Sequence, residues 1–362
     1  MDYIVLIGFI AYFVIVLLVG FYFYNRSHGL HDYILGGRKL NPYVAALSAQ
    51  ASDMSGWLLL GLPGSIYLFG IGQAWIGIGL AIGSYFAWLL IAKRLRNYTK
   101  KAKDSLTLSQ FFSNRFRDQK NYLKTMSAIA IIVFFIPYVA SGFVSAGNIL
   151  MSFVDLDYVP CMLIGVVVII AYTVLGGFKA ICWTDVLQAM LMIVAIIIVP
   201  LAAIGELGGW DEVMAVADRP AFSGFFDFFK NADGSTIAAL SIISSLAWGL
   251  GYFGMPHVVV RYMALEDPKE AKVARRVGTG WIIVALAFAI LVGLVGQAYH
   301  PGFTTKSDAQ TIFIVMVGGI FAPIIMGVLY SALMAAVMST SDSQLLVASA
   351  AVTNDLMSLT KK

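Results

Sequence analysis

Charge is what this sequence has least of. Of its 362 residues only 12% are Asp, Glu, Lys or Arg while 60% are hydrophobic, and no water-soluble domain hides that much apolar surface. The solvent it suits is a bilayer. Cysteine is nearly absent as well: Cys161 and Cys182 stand far apart in or beside apolar runs with no CxxC partner, a pattern that suggests neither a disulfide framework nor a zinc site. The four histidines, His28, His31, His257 and His300, show no metal-ligand or triad spacing. With no intramembrane nucleophile and base in view, the sequence does not read as an enzyme. The net charge of +4 comes from basic residues concentrated in particular loops, which is what membrane topology requires, so nucleic acid is not implied. The N-terminal apolar run exceeds a signal-peptide core in length and has no basic residue before it and no small-residue cleavage site after it, so it reads as a retained span.

What is present is a series of uncharged runs. About 20 helical residues cross a ~30 Å hydrocarbon layer, and runs of that length lie at 3–24, 126–154, 158–178, 186–205, 234–260, 277–305 and 309–341. The long segment 43–92 must hold two more, turning near 69–73 where Gly70 and Gly72 can adopt turn dihedrals. Nine spans result. The loops at 25–42, 93–124 and 261–276 are basic, whereas 206–233 is mostly acidic and 155–157 reads Asp-Leu-Asp. By the positive-inside rule this alternation predicts a multi-pass protein of the cytoplasmic membrane with its N-terminus outside and C-terminus inside. The aromatic-rich stretch 206–233 is expected as an interfacial helix or an ordered loop.

Two of these spans are interrupted. "ASDMSGWLLLGLPG" at 51–64 puts Asp53, Gly56, Gly61, Pro63 and Gly64 inside an apolar run, with Ser52 and Ser55 able to satisfy backbone groups freed by a break. Nonhelical backbone survives in lipid only where protein or a watery cavity surrounds it, and an intramembrane carboxylate marks an ion or substrate path. "AWGLGYFGMP" at 247–256 is a second interruption, five spans later. Paired broken spans in corresponding halves point to the midplane site of an inverted-repeat transporter. "GLGYFG" at 249–254 matches GxGxxG but has no preceding strand, so a dinucleotide site is rejected. "GLAIG" at 79–83 reads as close helix packing. In the last span Ala336, Ser339 and Thr340 share one helix face, offering oxygen ligands of the kind a small hard cation takes. Trp57, Tyr138, Trp248 and Tyr252 add aromatic surface at or near the breaks, able to enclose an apolar ring and stack on a cationic amine.

The blocks "DYILGGRKL" at 32–40, "ALSAQASDMSGWLLLGLPG" at 46–64, "YVASG" at 138–142, "GGFKAICWTDVLQA" at 176–189, "WGLGYFGMPH" at 248–257 and "AAVMSTSDSQLLV" at 335–347 closely resemble the sodium:solute symporter family, and its proline branch in particular. The resemblance runs along essentially the whole chain. It implies an all-α polytopic membrane protein forming a single transporter domain with a leucine-transporter-type inverted-repeat core. Residues 1–40 would be an extra span and loop, 41–206 the first five-helix repeat and 234–362 an incomplete second repeat, so the chain is expected to be C-terminally incomplete. The activity implied is secondary active symport of L-proline with Na⁺, in the lipid bilayer and with no obligatory protein partner. Carried over by position, sodium would be held by the carbonyls of Ala51, Met54 and Ala336 and the hydroxyls of Ser339 and Thr340. Proline would be held by Ser55, Trp57, Gly61, Tyr138, Trp248, Tyr252 and Pro256, and Asp53, Arg38 and Asp185 match positions tied to sodium dependence or gating. The other reading is a truncated nontransporting binding or sensor protein that keeps the pocket without completing a transport cycle, or an inactive fragment of such a symporter.

Overall fold

Because lipid offers no partner to a bare peptide group, the apolar runs satisfy their backbones internally as helices. The computed structural model describes residues 3–24, 26, 29–151, 154 and 156–360; His28 and Asp155, counted above among the loops, lie outside the described residues. Ten helices carry the architecture: α1 (Tyr3–Tyr24), α2 (Pro42–Met54), α3 (Leu62–Phe69), α4 (Ala74–Ala87), α5 (Tyr122–Met151), α6 (Tyr158–Leu207), α7 (Ala239–Ala247), α8 (Pro256–Ala264), α9 (Ala271–Tyr299) and α10 (Pro323–Ala350). Among the described residues β-structure is limited to two isolated bridges.

Among the described residues six helices are long and apolar enough to cross a membrane and one bent pair makes a seventh; dividing the longest helix and joining α2 to α3 across their break gives the expected nine. The 50 residues of α6 would extend ~75 Å at ~1.5 Å per residue, more than twice the hydrocarbon thickness. Gly177 divides it with φ 57° and ψ −155°. No other residue fits there, since a Cβ would also lie 2.7 Å from the Tyr33 ring. α7 with α8 makes one broken crossing, bent by 44°, and α2 with α3 reads as another, continued across the turn at Ser55 and Gly56. Gly70, with φ 80°, ends α3 at the expected turn. Gly72 answers to a different need, because a Cβ there would approach the Lys230 carbonyl oxygen to 2.8 Å.

Three sequence expectations are corrected. The run 309–341 is not one helix: Ile312–Ile320 is separate, Phe321 and Ala322 are extended, and the ninth crossing starts at Pro323 and runs to Leu356. The proline ring disfavours helical dihedrals in the residue before it, which sets that boundary. The sixth crossing does not begin at 186, because helix resumes directly after Gly177 and includes Lys179 and Asp185. Arg261, assigned to a loop, lies inside α8 and is buried. The 206–233 stretch folds as short turns, Trp210–Met214, Ala215–Asp218 and Pro220–Phe222, with Val213, Val216 and Phe225 buried beneath.

The loops segregate by charge onto two faces. On one, Arg38 Nη1 donates to the Met263 carbonyl oxygen at 2.7 Å, and Lys124 Nζ donates to Ser358 Oγ at 2.7 Å. There Leu40 N also donates to the Ala264 carbonyl oxygen at 3.0 Å. On the other, the acidic segment caps the α3–α4 turn, with Ile71 N donating to the Phe225 carbonyl oxygen at 2.8 Å. The start of α2 and the end of α8 therefore share a face, so the two broken crossings run in opposite directions, as inverted repeats require.

Glycine sets how closely α4 meets the second break. A Cβ on Gly83 would stand 2.1 Å from the Gly249 carbonyl oxygen, and one on Gly249 would stand 2.0 Å from that of Gly79. This is the small-residue packing expected of "GLAIG". Gly83→Val should therefore force the helices apart at a cost of at least about 1–3 kcal/mol, read as a lower melting temperature in detergent, while Gly280→Val, where a Cβ meets nothing within 4 Å, should leave that temperature within a degree or two.

Candidate functional site

The two interruptions meet. α2 ends at Met54, Ser55 takes the left-handed φ of 49°, and a π-turn at Trp57–Gly61 leads into α3. The break is tighter than the interruption expected over 51–64: residues 51 to 54 stay helical and the turn is confined to Ser55 and Gly56 before helix resumes. The glycines do not supply the positive φ. Ser55 does, its Oγ accepting from Trp57 N at 3.2 Å, the local hydroxyl turn that makes serine tolerable there. In the second broken crossing, a 3₁₀ turn at Trp248–Phe253 separates α7 from α8. Tyr252 donates its hydroxyl proton to Asp53 Oδ2, and the indoles of Trp57 and Trp248 stack with centroids 6.0 Å apart.

A helix that stops inside the bundle leaves its last carbonyls without N–H partners. The Ala51 carbonyl oxygen accepts instead from Ser339 Oγ on α10 at 2.9 Å. Ser339 and Thr340 also lie 3.2 and 3.4 Å from the Ala336 carbonyl oxygen, and Met54 is buried at the end of the same turn. Ala51, Ala336, Ser339 and Thr340 thus converge, and their oxygens are peptide and hydroxyl, a donor set fitted to a small hard cation.

Beside them opens a cavity of about 240 Å³, lined by Ser55, Trp57, Gly61 and Tyr138 of the expected substrate residues and by Thr340. Gly61 lets the Trp57 ring lie against the chain, because a Cβ there would be 2.5 Å from Trp57 Cδ1. Trp248 and Tyr252 join through their contacts with Trp57 and Asp53. Pro256 stands apart, lining a small separate cavity with Arg261, Ser343, Thr107 and Asp355.

Sequence reasoning passed over several residues. Ser141, Gly142, Ser145, Gln310 and Ser341 also line the larger cavity, and Ser141 and Ser145 were findable as the continuation of the Tyr138 helix face. Arg261 was hidden by its position at the end of a run. Its Nη2 donates to Asp185 Oδ2 at 3.0 Å and Ser343 Oγ at 2.6 Å, and its Nε donates to Ser48 Oγ at 3.0 Å. Ser48 in turn donates to Asp185 Oδ2 at 2.6 Å. One guanidinium therefore ties α2, α6, α8 and α10 together. Asp342, three residues beyond Ser339, accepts from the Tyr172 hydroxyl at 2.6 Å and is fully buried. His257 is buried against Phe135, and His31 faces Asp104 at 3.2 Å.

Arg38 sits on the basic face beneath this centre. It donates from Nε to Asp104 Oδ1 at 2.8 Å, from Nη1 to Thr99 Oγ1 at 3.0 Å and to the Met263 carbonyl oxygen, and from Nη2 to the Ser105 carbonyl oxygen at 2.7 Å. Burial pulls its pKa below the ordinary guanidinium value, and Asp104 offsets part of that pull.

Two oppositely directed broken helices that touch at midlength, flanked by an oxygen-lined junction and a cavity, define a secondary carrier of the leucine-transporter type. The sodium:solute symporter family model matches residues 33–362, and the chain belongs to that family. It is 48% identical over 341 residues to the high-affinity proline transporter PutP of Bacillus subtilis (strain 168), covering 94% of this chain and 71% of that one. To the sodium/proline symporter of Staphylococcus aureus (strain JH9) it is 43% identical over 351 residues, covering 96% and 67%. Among solved structures, the substrate-bound outward-open state of a Na⁺-coupled sialic acid symporter superposes with TM-score 0.82 at 22% identity, covering 98% of this chain and 75% of that one. Members of this family carry solutes across membranes with sodium and are not enzymes.

Proposed function

We propose that this protein couples Na⁺ entry to uptake of L-proline by alternating access, in the cytoplasmic membrane, with its N-terminus outside and its basic face in the cytoplasm. The observation that carries the reading is the contact of Ser339 Oγ with the Ala51 carbonyl oxygen, 2.9 Å across the break, directly beside the cavity. Sodium, as co-substrate, would take oxygens of Ala51, Met54, Ala336, Ser339 and Thr340, drawing α10 against the end of α2. Proline would bind next to it among Ser55, Trp57, Gly61 and Tyr138, beneath the stacked Trp57 and Trp248 indoles, with Tyr252 held through Asp53. Pro256, Arg38 and Asp185 act from the inner half, where the bundle must part. In domain terms, residues 1–40 precede a first repeat at 41–206 and a second-repeat portion at 234–362. The relatives' names support proline and sodium, and the charge asymmetry of the two faces supports the orientation.

The driving force is adequate with one sodium. A positive charge moving through ~100 mV supplies ~2.3 kcal/mol, and a tenfold Na⁺ gradient adds about 1.4 kcal/mol. Together these sustain roughly 500-fold accumulation. The test is uptake of labelled proline by proteoliposomes under an inward Na⁺ gradient with interior-negative potential. Accumulation that collapses when Na⁺ is replaced by choline supports the proposal, and equal uptake in both media refutes sodium coupling. Binding without accumulation would favour the sensor reading. In the same assay Ser339→Ala should raise the Na⁺ concentration for half-maximal stimulation about 10- to 100-fold, as expected for a lost charge-assisted contact of ~1.5–3 kcal/mol, with the maximal rate at saturating Na⁺ largely kept.

A further inference from the structure

None of the residues lining the larger cavity carries a formal charge, yet an amino acid brings a cationic nitrogen into it. That nitrogen needs acceptors and tolerates no donors pointed at it. A serine hydroxyl has one proton and two lone pairs, so where its proton is already bound decides how it meets a ligand. On α5, Ser141 Oγ donates to the Tyr138 carbonyl oxygen at 2.7 Å and Ser145 Oγ donates to the Ser141 carbonyl oxygen at 2.9 Å. Both protons are spent on the helix, the usual habit of serine inside a membrane helix. What the two hydroxyls offer the cavity is lone pairs alone.

Their placement is equally specific. Ser141 and Ser145 stand at i and i+4, one above the other on a single face. Between them in sequence is Gly142, where a Cβ would lie 2.1 Å from Ser341 Oγ on α10. The missing side chain therefore allows α5 close enough to α10 for Ser141 and Ser145 to share one cavity with Ser341, whose own proton goes to the Val337 carbonyl oxygen at 2.9 Å.

Building on the proposed function, we infer that Ser141 and Ser145 are specificity-determining residues: they form an acceptor-only pair that receives the two N–H groups of a secondary ammonium such as the proline ring nitrogen, with Gly142 setting the distance. The pair distinguishes a ligand that donates at this position from one that only accepts.

The experiment measures competition against labelled L-proline at saturating Na⁺, using unlabelled L-proline and tetrahydrofuran-2-carboxylate, which keeps the ring and carboxylate but replaces the charged nitrogen with an ether oxygen. The unsubstituted chain should prefer proline strongly. In Ser141→Ala with Ser145→Ala the preference should fall at least about tenfold, the scale of one charge-assisted hydrogen bond, because proline weakens while the ether does not. The Na⁺ concentration for half-saturation should stay put. Ser141→Thr with Ser145→Thr, which restores the hydroxyls, should regain the preference. Unchanged preference in the double alanine variant, with proline still bound, overturns this assignment alone. Failure of the unsubstituted chain to bind proline in Na⁺ overturns the proposed function and this inference with it.

Discussion

Arg261→Gln is expected to be among the most destabilising single substitutions in the protein. The guanidinium is 1% exposed and Asp185 is not exposed at all, so removing the cation strands a carboxylate where neither water nor another cation reaches it. Breaking a buried pair from one side costs about 3–5 kcal/mol, and here Ser48 and Ser343 lose a partner as well. The expected result is a melting temperature in detergent lowered well beyond that of any loop substitution and a marked loss of folded protein. Arg261→Gln combined with Asp185→Asn separates pairing from charge. With both charges gone, most of the lost stability should return, because an uncompensated charge costs far more than an absent pair. If the double variant is as unstable as Arg261→Gln alone, the pair is not what holds the four helices together, and the packing of the guanidinium over Phe178, 5.4 Å away, becomes the leading cause.

That network marks the boundary of what local sequence carries. Uncharged run length and loop charge were enough to mark the apolar segments and to tell the basic loops from the acidic one, since both are properties of a residue and its near neighbours. The two breaks were legible for the same reason: a carboxylate, glycines and a proline in an apolar run conflict with a lipid-facing helix whatever packs around them. Arg261 and Asp185 were not legible as partners. They are 76 residues apart, and a cation at the edge of an apolar run looks the same whether it meets water or a buried carboxylate. The helical start of the sixth crossing was missed likewise, because Lys179 is answered by Asp32 at 3.3 Å, an ion pair no window of sequence contains. The positive φ of Ser55 was unexpected because Gly56 beside it satisfies the usual rule better. Only the hydroxyl turn to Trp57 N accounts for serine in that conformation.

Arg38→Ala should loosen the basic face without disturbing the cavity beside the Ser339–Ala51 contact. Arg38 pins the segment 99–105 to the end of α8, and Thr107, just beyond, donates from Oγ1 to Asp355 Oδ1 at 2.8 Å near the end of the ninth crossing. Beneath Arg261 and Ser343 the remaining space is narrow, about 30 Å³, with Thr107, Leu346 and Asp355 in its wall. A path from the centre to the basic face has to pass this layer, so in an alternating-access cycle it must come apart. Hydrogen bonds from a charged group contribute ~1.5–3 kcal/mol each, so losing even two of the four from Arg38 should shift the balance toward the open arrangement by at least about a hundredfold. A cysteine at Leu346, in a background with Cys161 and Cys182 replaced, reports the opening: a membrane-impermeant thiol reagent applied to the basic face should label it slowly with Arg38 present and at least tenfold faster in Arg38→Ala. Arg38→Lys keeps the charge but not the fork that reaches Asp104, Thr99, Met263 and Ser105 together, so it should label nearly as fast as the alanine variant. Equal rates with and without Arg38 would mean that the cation only clamps its own loop and that the barrier lies deeper, at the Arg261 junction itself.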